Sequence, residues 1–172
     1  QQVADLRKAV ELGQRGSAEY ARSLRDLAQA ERLGGNFLLA KQYVEASIRE
    51  IPQSSSGQLT GAYTQLISIS SQVGDFETAQ SALRSLEAVM VILRSRRAWE
   101  SYGHNWLFNY EKSRGDMFAM AGKHVEAEAA YRRSLDIRPS YVEADLNLGI
   151  LLLLRGNLPE GWPRYESRWS MP

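Results

Sequence analysis

At 172 residues, with 44% hydrophobic and 24% charged side chains, the chain has the composition of a folded protein able to bury a core. A formal charge of +1 gives no general basic footprint for nucleic acid, and the absence of cysteine excludes disulfides, thiolate metal sites and cysteine nucleophiles. The longest apolar run, Ile150 to Leu154, is far short of the roughly 20 residues that cross a bilayer, so no membrane span is expected.

Apolar residues recur at helical spacing and no alternating pattern competes with them, which predicts an all-α chain of about nine helices. The first, 2–14, sets Val3, Leu6, Ala9 and Val10 on one side. Helices follow at 18–33 and 36–50, the second stopped by Pro52, which lacks the N–H that a further turn requires. Two more span 58–73 and 76–96, the latter running through ALRSLEAVMVILRSRRAW without a proline or glycine to end it. Helices at 103–121 and 124–137 precede Pro139, and the last two are expected at 141–155 and 158–169.

Gly35, Gly74, Gly122 and Gly156 each fall between two such patterns, where a positive φ is cheap only for glycine. The last step is 34 residues and the earlier ones are 39 and 48, so the first units are stretched by longer helices. Around these markers small and large side chains alternate as closely packed antiparallel helices require. The set is Gly115, Phe118, Gly122, Ala127, Tyr131, Ser134, Leu135 and Pro139 in one unit, and Leu27, Ala28, Gly35, Ala40, Val44, Ser47, Ile48 and Pro52 in another. With the 34-residue step, this pattern resembles the tetratricopeptide repeat (TPR) family.

The resemblance implies a right-handed α-solenoid of antiparallel helical hairpins. It is expected as a single TPR-like domain over 1–172, with an incomplete preceding unit at 2–14 and repeats at 18–52, 58–96 (elongated), 103–139 and 141–169. The chain opens on Gln rather than Met and stops just after an aromatic cluster, so a piece of a longer protein is expected. No targeting peptide is visible; the compartment stays open, with a soluble, cytoplasmic setting favoured.

No catalytic constellation is found. His124 is expected as a solvated turn residue, and His104, among Trp99, Tyr102, Trp106 and Phe108, as a partly buried structural one. No HExxH helix, GxGxxG or GxxxxGK[ST] loop, or GxSxG elbow occurs, so no metal, nucleotide cofactor or enzyme activity is expected. Trp99 to Tyr110, preceded by Arg94, Arg96 and Arg97, is assigned to core packing in preference to stacking on single-stranded nucleic acid; the alternative is a homodimer surface.

In the TPR family the concave groove is lined by the first helix of each hairpin and binds peptides, proteins or a domain of the same chain. Projected onto this sequence, it receives Arg22, Arg25, Gln29 and Arg32, then Thr64, Ser68, Ser71 and Gln72, then Asn109, Lys112, Asp116 and Met120. The arginines either grip carboxylates of an acidic peptide or form a solvated face bridged to Asp26 or Glu31. Lys112 and Asn109 alone do not make the carboxylate clamp that some family members carry.

Leu146, Ile150, Leu153 and Leu154 are expected as an apolar stripe on the groove side, continued by Trp162, Tyr165 and Trp169 as a docking surface. The ending GWPRYESRW resembles the last repeat of bacterial TPR proteins that carry a glycosyltransferase-like domain, with Ser167 where an aromatic is common. Two functions follow: a non-catalytic scaffold binding protein or peptide in its groove, or the accessory region of a larger sugar transferase.

Overall fold

A computed structural model describes residues 2–170, and among these nine α-helices and two 3-10 turns account for the regular structure, with no strand. The chain divides into two compact units, Gln1–Arg96 and Arg97–Pro172. No helix of the described residues is long and apolar enough to cross a membrane.

The first unit contains α1 (Gln2–Leu12), α2 (Ala18–Leu33), α3 (Phe37–Glu50), a 3-10 turn (Gln53–Ser55), α4 (Gly57–Gln72) and α5 (Phe76–Arg94). Helices α2 and α3 form one antiparallel hairpin and α4 and α5 the next, while α1 packs on α2 and α3 on α4. Ser17 starts α2 by accepting the Tyr20 N–H, and Asp75 starts α5 by accepting that of Thr78. Leu24, Leu27, Val44, Leu66, Ile67, Leu83 and Leu86 fill the core, and Ala28, Ala40 and Ser47 are fully buried where the helices come closest. Lys41 of α3 reaches Asp75 at 2.5 Å, tying one hairpin to the cap of the next.

The second unit contains α6 (Ala98–Met120), α7 (His124–Ile137), α8 (Val142–Leu154), α9 (Leu158–Tyr165) and a 3-10 turn (Glu166–Ser170). Its core joins Ala127 and Tyr131 of α7 to Leu148, Leu151 and Leu152 of α8, with Phe118, Ala119 and Leu135 packed against them. Gly115 lies under the Tyr131 ring: a Cβ there would come within 2.7 Å of it.

All four hairpins turn in the same way. Gly35, Gly74, Gly122 and Gly156 have φ between 72° and 82°. The N–H groups of the residues that follow, Asn36, Asp75, Lys123 and Asn157, bond back to Glu31, Ser70, Phe118 and Leu152. This is the closure that satisfies the last carbonyls of a helix when glycine occupies the left-handed position.

Helix bounds match the sequence expectation to within a residue except at four places, the first being α1, which ends at Leu12 rather than 14. Helix α6 begins at Ala98 rather than 103, because Gly103 lets the Trp99 ring lie flat on the helix, 5.8 Å from Trp106. Helix α5 ends at Arg94 instead of 96. The last helix runs through Pro163, stops at Tyr165 and tightens into the 3-10 turn, with the Glu166 N–H closing on the Trp162 carbonyl.

Candidate functional site

The four arginine and glutamine positions of α2 lie beside its buried stripe of Tyr20, Ala21, Leu24, Leu27 and Ala28. Arg22 is exposed, whereas Arg25, Gln29 and Arg32 are half-buried. Arg25 turns toward the start of α4. Its guanidinium donates to the Gln58 backbone oxygen at 3.3 Å and to the Gln58 side-chain oxygen at 3.5 Å, while Gln65 donates to the Arg25 carbonyl at 3.1 Å. Gly61 makes this approach feasible, since a Cβ there would sit 2.8 Å from an Arg25 nitrogen.

Arg25 Nε is buried and has no hydrogen-bond partner. Burial pushes the Arg25 pKa down, Asp26 opposes this, and Arg22 adds to it. A cavity of about 420 Å³ lies alongside, lined by Ala18, Glu19, Arg22, Ser23 and Gln58. Arg32 is engaged by Gln29 at 3.1 Å, and Thr64 donates to the Thr60 carbonyl at 2.8 Å, so both are satisfied within their own helices. Ser68 is half-buried and Gln72 exposed, but Ser71 is buried and donates to the Ile67 carbonyl, which removes it from the expected face.

The expected bridge from the arginines to Glu31 is not formed. Glu31 is 2% exposed and takes hydrogen bonds from Arg7 of α1 and Asn36 instead, both at 2.8 Å. Those two donors, Arg7 first, hold its carboxyl below the usual range.

In the second unit, Lys112 and Asp116 belong to a closed polar network. Lys112 Nζ lies 2.8 Å from Asp116 and 2.9 Å from Glu143 of α8. Tyr131 and Asn147 both donate to Asp116 Oδ1, at 2.8 and 3.2 Å. Burial works against the Lys112 charge, but Asp116 and Glu143 outweigh it and raise its pKa. Burial, reinforced by Asp116, pushes the Tyr131 phenol up and keeps it a donor. Lys112 is therefore saturated by two carboxylates; Asn109 is half-buried and Met120 exposed. Asn147 was not singled out from the sequence, because its role appears only when α8 packs beside α6.

At the C-terminal end Ile150, Leu154, Leu158, Trp162 and Trp169 are exposed by 40%, 72%, 51%, 53% and 77%, a contiguous stretch of sequence rich in wet apolar surface. Tyr165 is half-buried, with Trp162 at 5.8 Å edge-on and the Arg168 guanidinium 4.1 Å above its ring. Leu146 is half-buried, and Leu153 faces Gly161 inside its own hairpin, where a Cβ would meet it at 2.8 Å, so Leu153 leaves the expected stripe. The core assignment of the α6 aromatics holds for Phe108, which is 2% exposed and packs edge-on against Tyr141 and under Arg138, but Tyr102 is 57% exposed. His104 is exposed rather than partly buried, and His124 is half-buried at the start of α7 rather than fully solvated. Among the described residues no group of three His, Asp or Glu side chains is placed to hold a metal.

No family model matches the chain, and no curated protein sequence does so. Solved structures do share its architecture. The crystal structure of MamA aligns over 98% of this chain and 85% of its own, with a TM-score of 0.58 and 14% identity. A MamA double mutant (RS-1 ArsTM) aligns over 96% and 80%, with a TM-score of 0.58 and 12% identity. At such identity the likeness concerns fold alone: an all-α, TPR-like solenoid of helical hairpins.

Proposed function

We propose that this TPR-like chain is a non-catalytic scaffold that binds a protein or peptide segment, with the face shared by α2 and α4 as its principal contact. One observation carries the reading: Arg22 lines an open cavity on that face together with Gln58, to which Arg25 is bonded, and neither arginine makes an ion pair among the described residues. Crosslinking and pull-down with the full-length protein test it. A protein partner should be recovered by the wild type and lost on Arg25→Glu. Recovery of none, or recovery indifferent to that substitution, removes the proposal.

The exposure of Leu154, Leu158, Trp162 and Trp169 favours a second reading, in which the module recruits substrate for a sugar transferase domain that rests on this apolar end. The coding sequence beyond Pro172 tests that directly. A nucleotide-sugar-binding α/β domain supports it, and an immediate stop codon ends it. Pairing of two chains through Tyr102 and its neighbours would instead give a solution mass that rises with concentration.

A further inference from the structure

A helix at the surface of a folded protein is expected to show water a polar face. The second helices of two hairpins, α3 and α7, do so in their last turns, where Arg49 and Asp136 are the exposed side chains. The last turn of α5 does not. Val91 and Ile92 are 62% and 56% exposed, while their neighbours Met90 and Leu93 are buried and hold the turn in place. Arg94, Ser95 and Arg96 follow, all exposed. Ser95 Oγ donates to the Ile92 carbonyl at 2.9 Å and the Arg96 N–H to the Leu93 carbonyl at 3.0 Å, so the segment is closed onto the helix end. From Ala88 to Trp99 the sequence contains three arginines and no acidic residue, and Arg96 makes no ion pair among the described residues. Arg94 complements the carbonyl end of α5, for which one cation suffices. The second arginine and the wet aliphatic pair have no such use within the helix.

We propose that this end of α5 docks reversibly on an anionic lipid surface, with Val91 and Ile92 entering the headgroup boundary and Arg94 and Arg96 meeting lipid phosphates. Cations and aliphatic side chains side by side are what that boundary accepts together, charge at the headgroups and apolar surface just beneath. A nucleic acid would use the arginines and leave the aliphatic pair wet. An acidic protein would need about 800 Å² from each side for a stable complex, far more than four side chains supply, whereas attraction to a charged bilayer accumulates from single side chains. Glu87, one turn before Val91, marks the limit of the patch. The docking is independent of what the face shared by α2 and α4 binds, so either reading can fail alone.

The test uses the whole chain with extruded vesicles of phosphatidylcholine alone and of phosphatidylcholine mixed with phosphatidylglycerol, and reads the bound fraction after sedimentation. At low salt the partition coefficient should be about tenfold higher on the anionic vesicles, and added salt should reduce it. Arg94→Gln and Arg96→Gln should each lower it about fivefold, the factor for one cation at a charged surface, whereas Arg96→Lys should keep it. Ile92→Ser should lower it too, without altering its salt dependence. Far-UV circular dichroism establishes that each variant is folded. Because the chain has no cysteine, Ser95→Cys carrying an environment-sensitive dye places a single reporter on the patch, and its emission should shift to the blue on anionic vesicles only. Equal partition onto the two vesicles, an unshifted dye, or a preference that survives the combined Arg94→Gln and Arg96→Gln substitutions in folded protein overturns the proposal. Indifference to Ile92→Ser also overturns it, and equal arginine-dependent capture by beads bearing a single-stranded oligonucleotide or polyglutamate then assigns the cations to an acidic polymer.

Discussion

At Gly149 a Cβ would come within 2.7 Å of the Tyr165 backbone nitrogen and 2.9 Å of the Arg164 carbonyl carbon, atoms that cannot swing aside. Gly149→Ala should therefore cost about 1 to 3 kcal/mol in denaturant unfolding, the usual cost of overpacking. Gly61→Ala meets only the far end of a flexible arginine, so its effect should fall on binding and leave the unfolding midpoint nearly unchanged. The contrast separates packing glycines from a positioning glycine by measurement. Glu31 makes a related point about charge: it is buried, and its partner Arg7 stands 24 residues earlier in another helix. Its carboxyl is held low by Arg7 and Asn36, so protonation favours the unfolded chain. The stabilisation it gives is complete above the ordinary carboxylate pKa and fades as pH falls below it. Arg7→Ala should flatten that part of the acid profile measured by thermal unfolding.

Among the elements, the join between α3 and α5 depends on Lys41 and the Asp75 cap. Lys41 and then Thr78 hold the Asp75 carboxyl down to about 2. The same sign applies: stability supplied by this cap is intact above roughly pH 4 and is lost as pH drops toward 2. Lys41→Met should narrow that window, with amide exchange at the start of α5 rising earlier on acidification. Elements whose ends carry local chemistry were legible from the sequence. The four turn glycines were placed by pattern alone, because a positive φ leaves a residue-specific trace. The start of α6 was not, since Arg97 makes no side-chain cap and the helix is held there by aromatic stacking of Trp99 on Gly103 and Trp106. The candidate faces divide in the same manner. Helical projection located Arg22 and Arg25, but Gln58, Asn147 and the Arg7–Glu31 pair depend on helices meeting across dozens of residues, which local periodicity does not encode. It also put Ser71 and Leu153 on open faces, whereas Ser71 is buried on the Ile67 carbonyl and Leu153 packs against Gly161.

For the molecule as a whole, each of the two units is built of elements that pack mainly on their sequence neighbours, so stability accumulates from neighbour to neighbour within a unit. A lesion should then be felt locally. Hydrogen exchange in Gly149→Ala should accelerate in α8 and α9 while α2 and α3 keep wild-type protection, and uniform acceleration along the chain would contradict this. The tryptophans described above carry a practical corollary. All four, Trp99, Trp106, Trp162 and Trp169, belong to the unit Arg97–Pro172, and the unit Gln1–Arg96 has none. Selective indole excitation thus reads one unit only, and comparison of that emission with the circular dichroism of the entire chain reports whether the two units melt together, without any attached dye.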